Sequence, residues 1–131
     1  MTLLPVTLCT GAAACILTIW MMMRTGALRN KFKISQGDGG NPALIRRMRA
    51  QLNFVESAPF ILLLIAAIEL SGKGAPWLPY VAGIYVLGRV AHTMGMDAED
   101  VSKARMAGVV ITMLTLLGLS VVAVLIAARV M

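Results

Sequence analysis

Charge is scarce in this chain. Only 14% of its 131 residues are Asp, Glu, Lys or Arg, against 59% from the apolar set, and the mean hydropathy is +0.83. Soluble domains carry about a quarter charged residues, so an ordinary soluble fold is excluded and an integral membrane protein is indicated. Acids are scarcer still, 6 against 12 Lys and Arg, for a net charge of +6. In a soluble protein that excess would point to nucleic acid; here it is read by position relative to the membrane spans, and nucleic-acid binding is disfavoured. Histidine occurs once and cysteine twice. Cys9 and Cys15 lie six apart in one apolar run with neither CxxC nor metal-ligand spacing, and no second His or Cys stands near His92, so packing cysteines and no metal are expected. The polar stretch SQGDGG at 35–40 lacks the lysine and following helix of a phosphate loop. No repeat suggests an inverted-repeat transporter. The first span holds no acid and Glu56 lies among arginines that repel cations, which argues against a small four-span cation exporter. The residues before Arg24 lack the basic start of a signal peptide, so the first apolar run is expected to be a membrane span.

What is there is enough apolar sequence for four helices. Leu3 to Met23 carries no charge and is about 32 Å long as a helix, matching a hydrocarbon core of roughly 30 Å. Trp20 and Arg24 mark its exit, and a loop is expected from Arg24 onward. Asn41-Pro42 reads as an N-cap with proline at the first helical position, opening a second helix to Leu70 whose span covers about 44–70. SGKGAP at 71–76 is a tight turn into a third helix, about Trp77–Met96. The acids of Asp97-Ala-Glu-Asp100 suit the N-terminus of a fourth helix, whose span covers about 106–128. One four-span domain, 1–131, is the expected architecture. Seven basic residues (Arg24, Arg29, Lys31, Lys33, Arg46, Arg47, Arg49) fall between the first two spans, and Arg89, Lys103 and Arg105 flank the other loop on that side. The positive-inside rule then puts both larger loops in the cytoplasm and both termini outside.

The polar residues within the spans form a pattern. Arg46, Arg49, Asn53 and Glu56 are spaced three, four and three apart and share one helix face, with Met48, Leu52 and Val55 expected to point elsewhere. An acid inside a membrane costs at least about 2.5 kcal/mol on insertion scales, so Glu56 should face protein or a water-filled site, with Arg49 a candidate partner. Arg89 and His92, three apart, form a second patch on the third helix, and Arg105 opens the fourth. Helices two and four start on the side where helix three ends, so topology brings all of these groups to one depth. Arg46, Arg47 and Lys103 read as headgroup-directed charges. Glu69 reads as an interfacial charge without further role.

The stretch Arg49-Ala50-Gln51-Leu52-Asn53-Phe54-Val55-Glu56-Ser57-Ala58-Pro59 resembles the R-A-Q-x-N-x-x-E-x-x-P signature of the membrane-associated proteins in eicosanoid and glutathione metabolism, the MAPEG family. That family includes microsomal glutathione transferases, leukotriene synthase and microsomal prostaglandin E synthase. Gly88-Arg89-Val90-Ala91-His92-Thr93 is similar to the third helix of its prostaglandin synthase branch. The resemblance covers essentially the whole chain. It implies an all-α membrane protein, a homotrimer of four-helix subunits in a bacterial inner membrane, with glutathione held near the cytoplasmic surface between subunits. It further implies that Arg46, Arg49, Asn53 and Glu56 bind glutathione, that Arg89 and His92 line or brace the site, and that Arg105 stabilises the thiolate as the catalytic residue.

The implied activity is transfer of glutathione to lipophilic electrophiles, with peroxide reduction as a companion reaction. The sequence departs from the family pattern at three positions. Met96 stands where family enzymes commonly carry a tyrosine, Ser57 where some have a tyrosine, and Met106 follows Arg105 where the prostaglandin synthase branch has a hydroxyl. Prostaglandin isomerisation is therefore not expected. The alternative these losses favour is a non-catalytic membrane adaptor that binds a lipid or other ligand in the same cleft.

Overall fold

A computed structural model describes residues 2–131 as four helices: α1 (Pro5–Phe32), α2 (Pro42–Leu70), α3 (Leu78–Gly95) and α4 (Lys103–Ala127). No strand occurs among the described residues. Three of the four, α1, α2 and α4, are long and apolar enough to cross a membrane. The third, of 18 residues, is about 27 Å long and carries Arg89 and His92, which lower its hydropathy. α1 packs on α2 and α3, and α4 packs on α2 and α3, while α1 and α4 stay apart. The order around the bundle is thus α1, α2, α4, α3.

The helix starts follow local chemistry. Asn41 caps α2 by accepting from the Leu44 amide at 3.0 Å, with Pro42 behind it, as the sequence indicates. The start of α4 differs from expectation. Its cap is Ser102, which accepts from the Arg105 amide at 3.1 Å and donates to the Gly95 carbonyl at 3.0 Å, joining the end of α3 to the start of α4. The acids at 97–100 do not cap this helix.

Two further expectations are corrected. α1 does not end at Met23; it runs on to Phe32 and closes on Lys33 in the left-handed region (φ 54°). Arg24 is therefore a helical residue, and its guanidinium is occupied by distant partners instead of opening a loop. Glu69 also has a role. Leu4 offers no side-chain cap to α1, and the Glu69 carboxylate supplies one from the far end of α2. It accepts from the amides of Val6 and Thr7, both at 2.8 Å, and from the Thr7 hydroxyl at 2.7 Å. These are amides that the helix itself leaves without acceptors.

Between the ends, the bundle is held by packing. Ile61, Ile65, Ile68, Leu78, Ala82, Tyr85 and Leu119 form one buried cluster, and Leu17, Met21, Phe54 and Ala58 another. The outward faces stay apolar, with Leu8, Ile16, Phe60, Leu63, Leu87, Leu114 and Leu117 all exposed. Such a surface suits lipid and would aggregate in water. Replacing Glu69 with alanine should lower the melting temperature in detergent, by an amount corresponding to about 0.5 to 2 kcal/mol for a lost cap. It should also speed hydrogen exchange at the Val6 and Thr7 amides; unchanged exchange there would exclude the capping role.

Candidate functional site

The polar stripe of α2 meets α3 and α4 at the end of the bundle where α2 and α4 begin. Arg49, Leu52, Asn53 and Glu56 of α2, His92 of α3, Met96 at its end, and Arg105 and Val109 of α4 enclose a cavity of about 140 Å³. Five of the seven residues singled out from the sequence thus share one wall. His92 and Met96 are buried, Asn53 and Arg105 half-buried, and Arg49 and Glu56 exposed. The Ser102 cap places Arg105 in the first turn of α4, directed into this space. Leu52, expected to point elsewhere, supplies part of the wall.

Glu56 does not form an ion pair with Arg49. Among the described residues the ion pairs join Asp97 to Arg24 and, at 3.3 Å, to Arg47. Arg46 does not line the cavity; it is half-buried and its Nε finds no partner. Arg89 is fully buried behind the wall. Its Nη1 donates to the Thr112 hydroxyl at 3.1 Å, its Nη2 lies 3.3 Å from His92 Nδ1, and its guanidinium carbon sits 5.8 Å from the centre of the Phe54 ring. Arg89 thus contacts His92 from behind and does not itself line the cavity.

Several participants carried no signal in the sequence. The Tyr85 hydroxyl lies 3.1 Å from Ser57 Oγ in the buried space between α3 and α2, so the hydroxyl at position 57 faces the core and not the cavity. Asp97, next to the cavity residue Met96, takes both Arg24 and Arg47. Arg47 also donates to the Arg24 carbonyl at 2.6 Å, and Arg24 to the Thr93 carbonyl at 3.1 Å while lying over Trp20. One carboxylate, just beyond the end of α3, therefore clasps the later part of α1 to the early turns of α2. Arg47 is a structural partner here, where headgroup contact was the expectation.

Close approach of α4 to α3 makes the site possible. A Cβ on Gly108 would lie 2.6 Å from the Gly88 carbonyl oxygen and would meet His92 Cβ as well; one on Gly95 would lie 2.7 Å from Ser102 Oγ. Only glycine lets the two backbones carry His92 and Arg105 to a common cavity. A larger cleft, of about 610 Å³, lies between α1 and α3 with Pro5, Val6, Cys9, Ala82 and Val86 in its wall. It is almost wholly apolar and gathers no convergent polar groups.

The MAPEG family model matches residues 7–125. The chain belongs to the MAPEG family. Over 69 residues it is 33% identical to the inner membrane protein YecN of Escherichia coli strain K12, and equally to that of strain O6:H1, covering 52% of each protein. The chain spans about half the length of the curated relatives it matches. As a MAPEG protein it is an integral membrane protein, and its helical content and apolar exterior accord with that. In this MAPEG chain, Gly108→Ala should cost about 1 to 3 kcal/mol of stability through overpacking against α3. Gly118→Ala, on the same helix but facing open space, should leave the melting temperature unchanged or raise it. Equal melting temperatures for the two variants would show that the contact at Gly108 is not tight.

Proposed function

We propose that this protein is a glutathione-dependent transferase of the bacterial inner membrane, crossing it four times with both termini outside and acting as a homotrimer on lipophilic electrophiles. The observation that carries this reading is the gathering of two guanidiniums, a carboxylate, an amide and an imidazole from three helices around one cavity. Glutathione has two carboxylates, one ammonium, two amide groups and a thiol. Arg49 and Arg105 offer forked donors to anionic groups, Glu56 suits the ammonium, and Asn53 suits an amide. The name of the Escherichia coli relative supports the membrane assigned, and the basic residues between α1 and α2 support the orientation.

Size supports the oligomer. A cavity of about 140 Å³ is below the roughly 300 to 1,000 Å³ of sites that enclose drug-sized ligands. Arg49 and Glu56 are exposed on the flank of the subunit. A neighbouring subunit would complete the site by covering that flank.

Arg105 is assigned the thiolate. A thiol with pKa near 8.5 is a few per cent ionised at pH 7, and lowering that value by two units takes about 2.7 kcal/mol of preferential anion stabilisation. A guanidinium at the mouth of a partly desolvated cavity is suited to supply much of it. The sulfur then attacks an electrophilic carbon delivered from the lipid, a carbon–sulfur bond forms, and the displaced group departs with its electron pair. Peroxide reduction would use the same thiolate, two glutathiones giving the disulfide as the peroxide becomes an alcohol and water. A second reading, a ligand-binding adaptor without turnover, is favoured by Met96, which puts a buried thioether in the cavity wall where family enzymes have a phenol.

Calorimetry and thiolate absorbance on the purified protein in detergent test this reading. Wild type should bind glutathione with a thiolate signal. Arg49→Ala should weaken binding roughly 10- to 150-fold, the loss of a charged hydrogen bond worth about 1.5 to 3 kcal/mol. Arg105→Ala should abolish the thiolate signal with a smaller loss of affinity. No binding at millimolar glutathione would sink the transferase reading and favour the adaptor.

A further inference from the structure

The single histidine of the chain has two different surroundings on its two ring nitrogens. Nδ1 faces Arg89 Nη2 at 3.3 Å. A guanidinium has donors and no acceptor, so this contact is a hydrogen bond only if Nδ1 carries a lone pair. Any form of the ring with a proton on Nδ1 sets donor against donor. Nε2 has no hydrogen bond to the described residues and is not sealed in the core, and His92 lines the cavity. Arg89 has little freedom to turn away. It is fully buried, Nη1 is tied to Thr112, Thr112 in turn donates to the Gly108 carbonyl at 2.8 Å, and the Phe54 ring lies across the guanidinium.

We propose that Arg89 is a positioning residue that holds His92 as the Nε2–H tautomer, so that the ring presents an N–H donor to the cavity. The hydrogen bond at one ring nitrogen sets the state of the other. For the ligand the consequence is specific: His92 donates to an anionic group and does not accept the proton of a thiol. That consequence for glutathione rests on the function proposed above, whereas the tautomer does not. It leaves Arg105 to stabilise the thiolate by charge, with the thiol proton passing to water.

Because there is one histidine, ring-nitrogen NMR of the full chain in detergent, labelled with ¹⁵N-histidine, reads the tautomer directly. Wild type should show an unprotonated Nδ1 and a protonated Nε2. Arg89→Met, with its fold checked by circular dichroism, should raise the Nδ1–H population several-fold. Thr112→Val, which frees Nη1 while leaving the guanidinium in place, should move the balance the same way by less, and it decides the matter if Arg89→Met does not fold. A proton on Nδ1 in wild type, or a balance unmoved in the folded variants, would overturn the proposal. Glutathione added to wild type should shift Nε2. Calorimetric binding without that shift would overturn the donor role, and absence of binding would count against the glutathione reading alone.

Discussion

Arg89 is fully buried between three helices with no carboxylate among the described residues paired to it, and that placement constrains how the polar half of the bundle can be built. A cation inside a membrane-spanning bundle is costly unless protein groups replace its water. Here the replacements come from three elements: the Thr112 hydroxyl on α4, the His92 ring on α3 itself, and the face of Phe54 on α2. All three must keep their register for the charge to stay solvated. The close contact at Gly108 follows from this requirement, since Thr112 lies one turn beyond it and a side chain at 108 would push the hydroxyl away from the guanidinium. The same charge biases the adjacent cavity toward anions, because no acid among the described residues pairs with it.

Lipid gives helices no hydrophobic reason to associate, so such bundles depend on close packing and polar contacts. This chain uses both, at different heights. At one end, Glu69 ties the start of α1 to the end of α2; toward the other, Asp97 just beyond α3 gathers Arg24 of α1 and Arg47 in the early turns of α2. Between them, Gly88, Gly95 and Gly108 let α3 and α4 approach. The Asp97 clasp borders Met96, so the contact that closes the bundle also fixes one wall of the cavity.

The parts of this arrangement that were legible in the sequence are those written in local spacing. Arg49, Asn53 and Glu56 share a wall because intervals of three and four fall on one helix face, and Asn41-Pro42 starts α2 because cap and proline act within one turn. What was not legible depends on partners far along the chain. Arg24 reads as the end of a span, yet its helix continues to Phe32, and the partner that takes its charge, Asp97, is 73 positions away. Glu69 reads as a surface acid until α1 is placed beside it. Leu52 reads as lying off the stripe by its neighbours' pattern, but the approach of α4 widens the enclosed face enough to include it. The partners that hold Arg89 were not legible for the same reason: Thr112 and Phe54 have no spacing relation to it.

Arg49 and Glu56 pose the remaining physical demand. Both are exposed on a helix whose neighbouring positions Val55 and Phe60 are apolar and also exposed. Neither charge can be left against hydrocarbon without a partner, and among the described residues they form no ion pair. The flank therefore calls for a covering that is apolar over most of its area and polar at one depth. A second copy of a helix with the same alternation meets that description, and a ligand carrying both signs of charge meets the polar part of it. A ligand that touched both copies would couple the two events, because it would gain contacts that one chain alone does not offer.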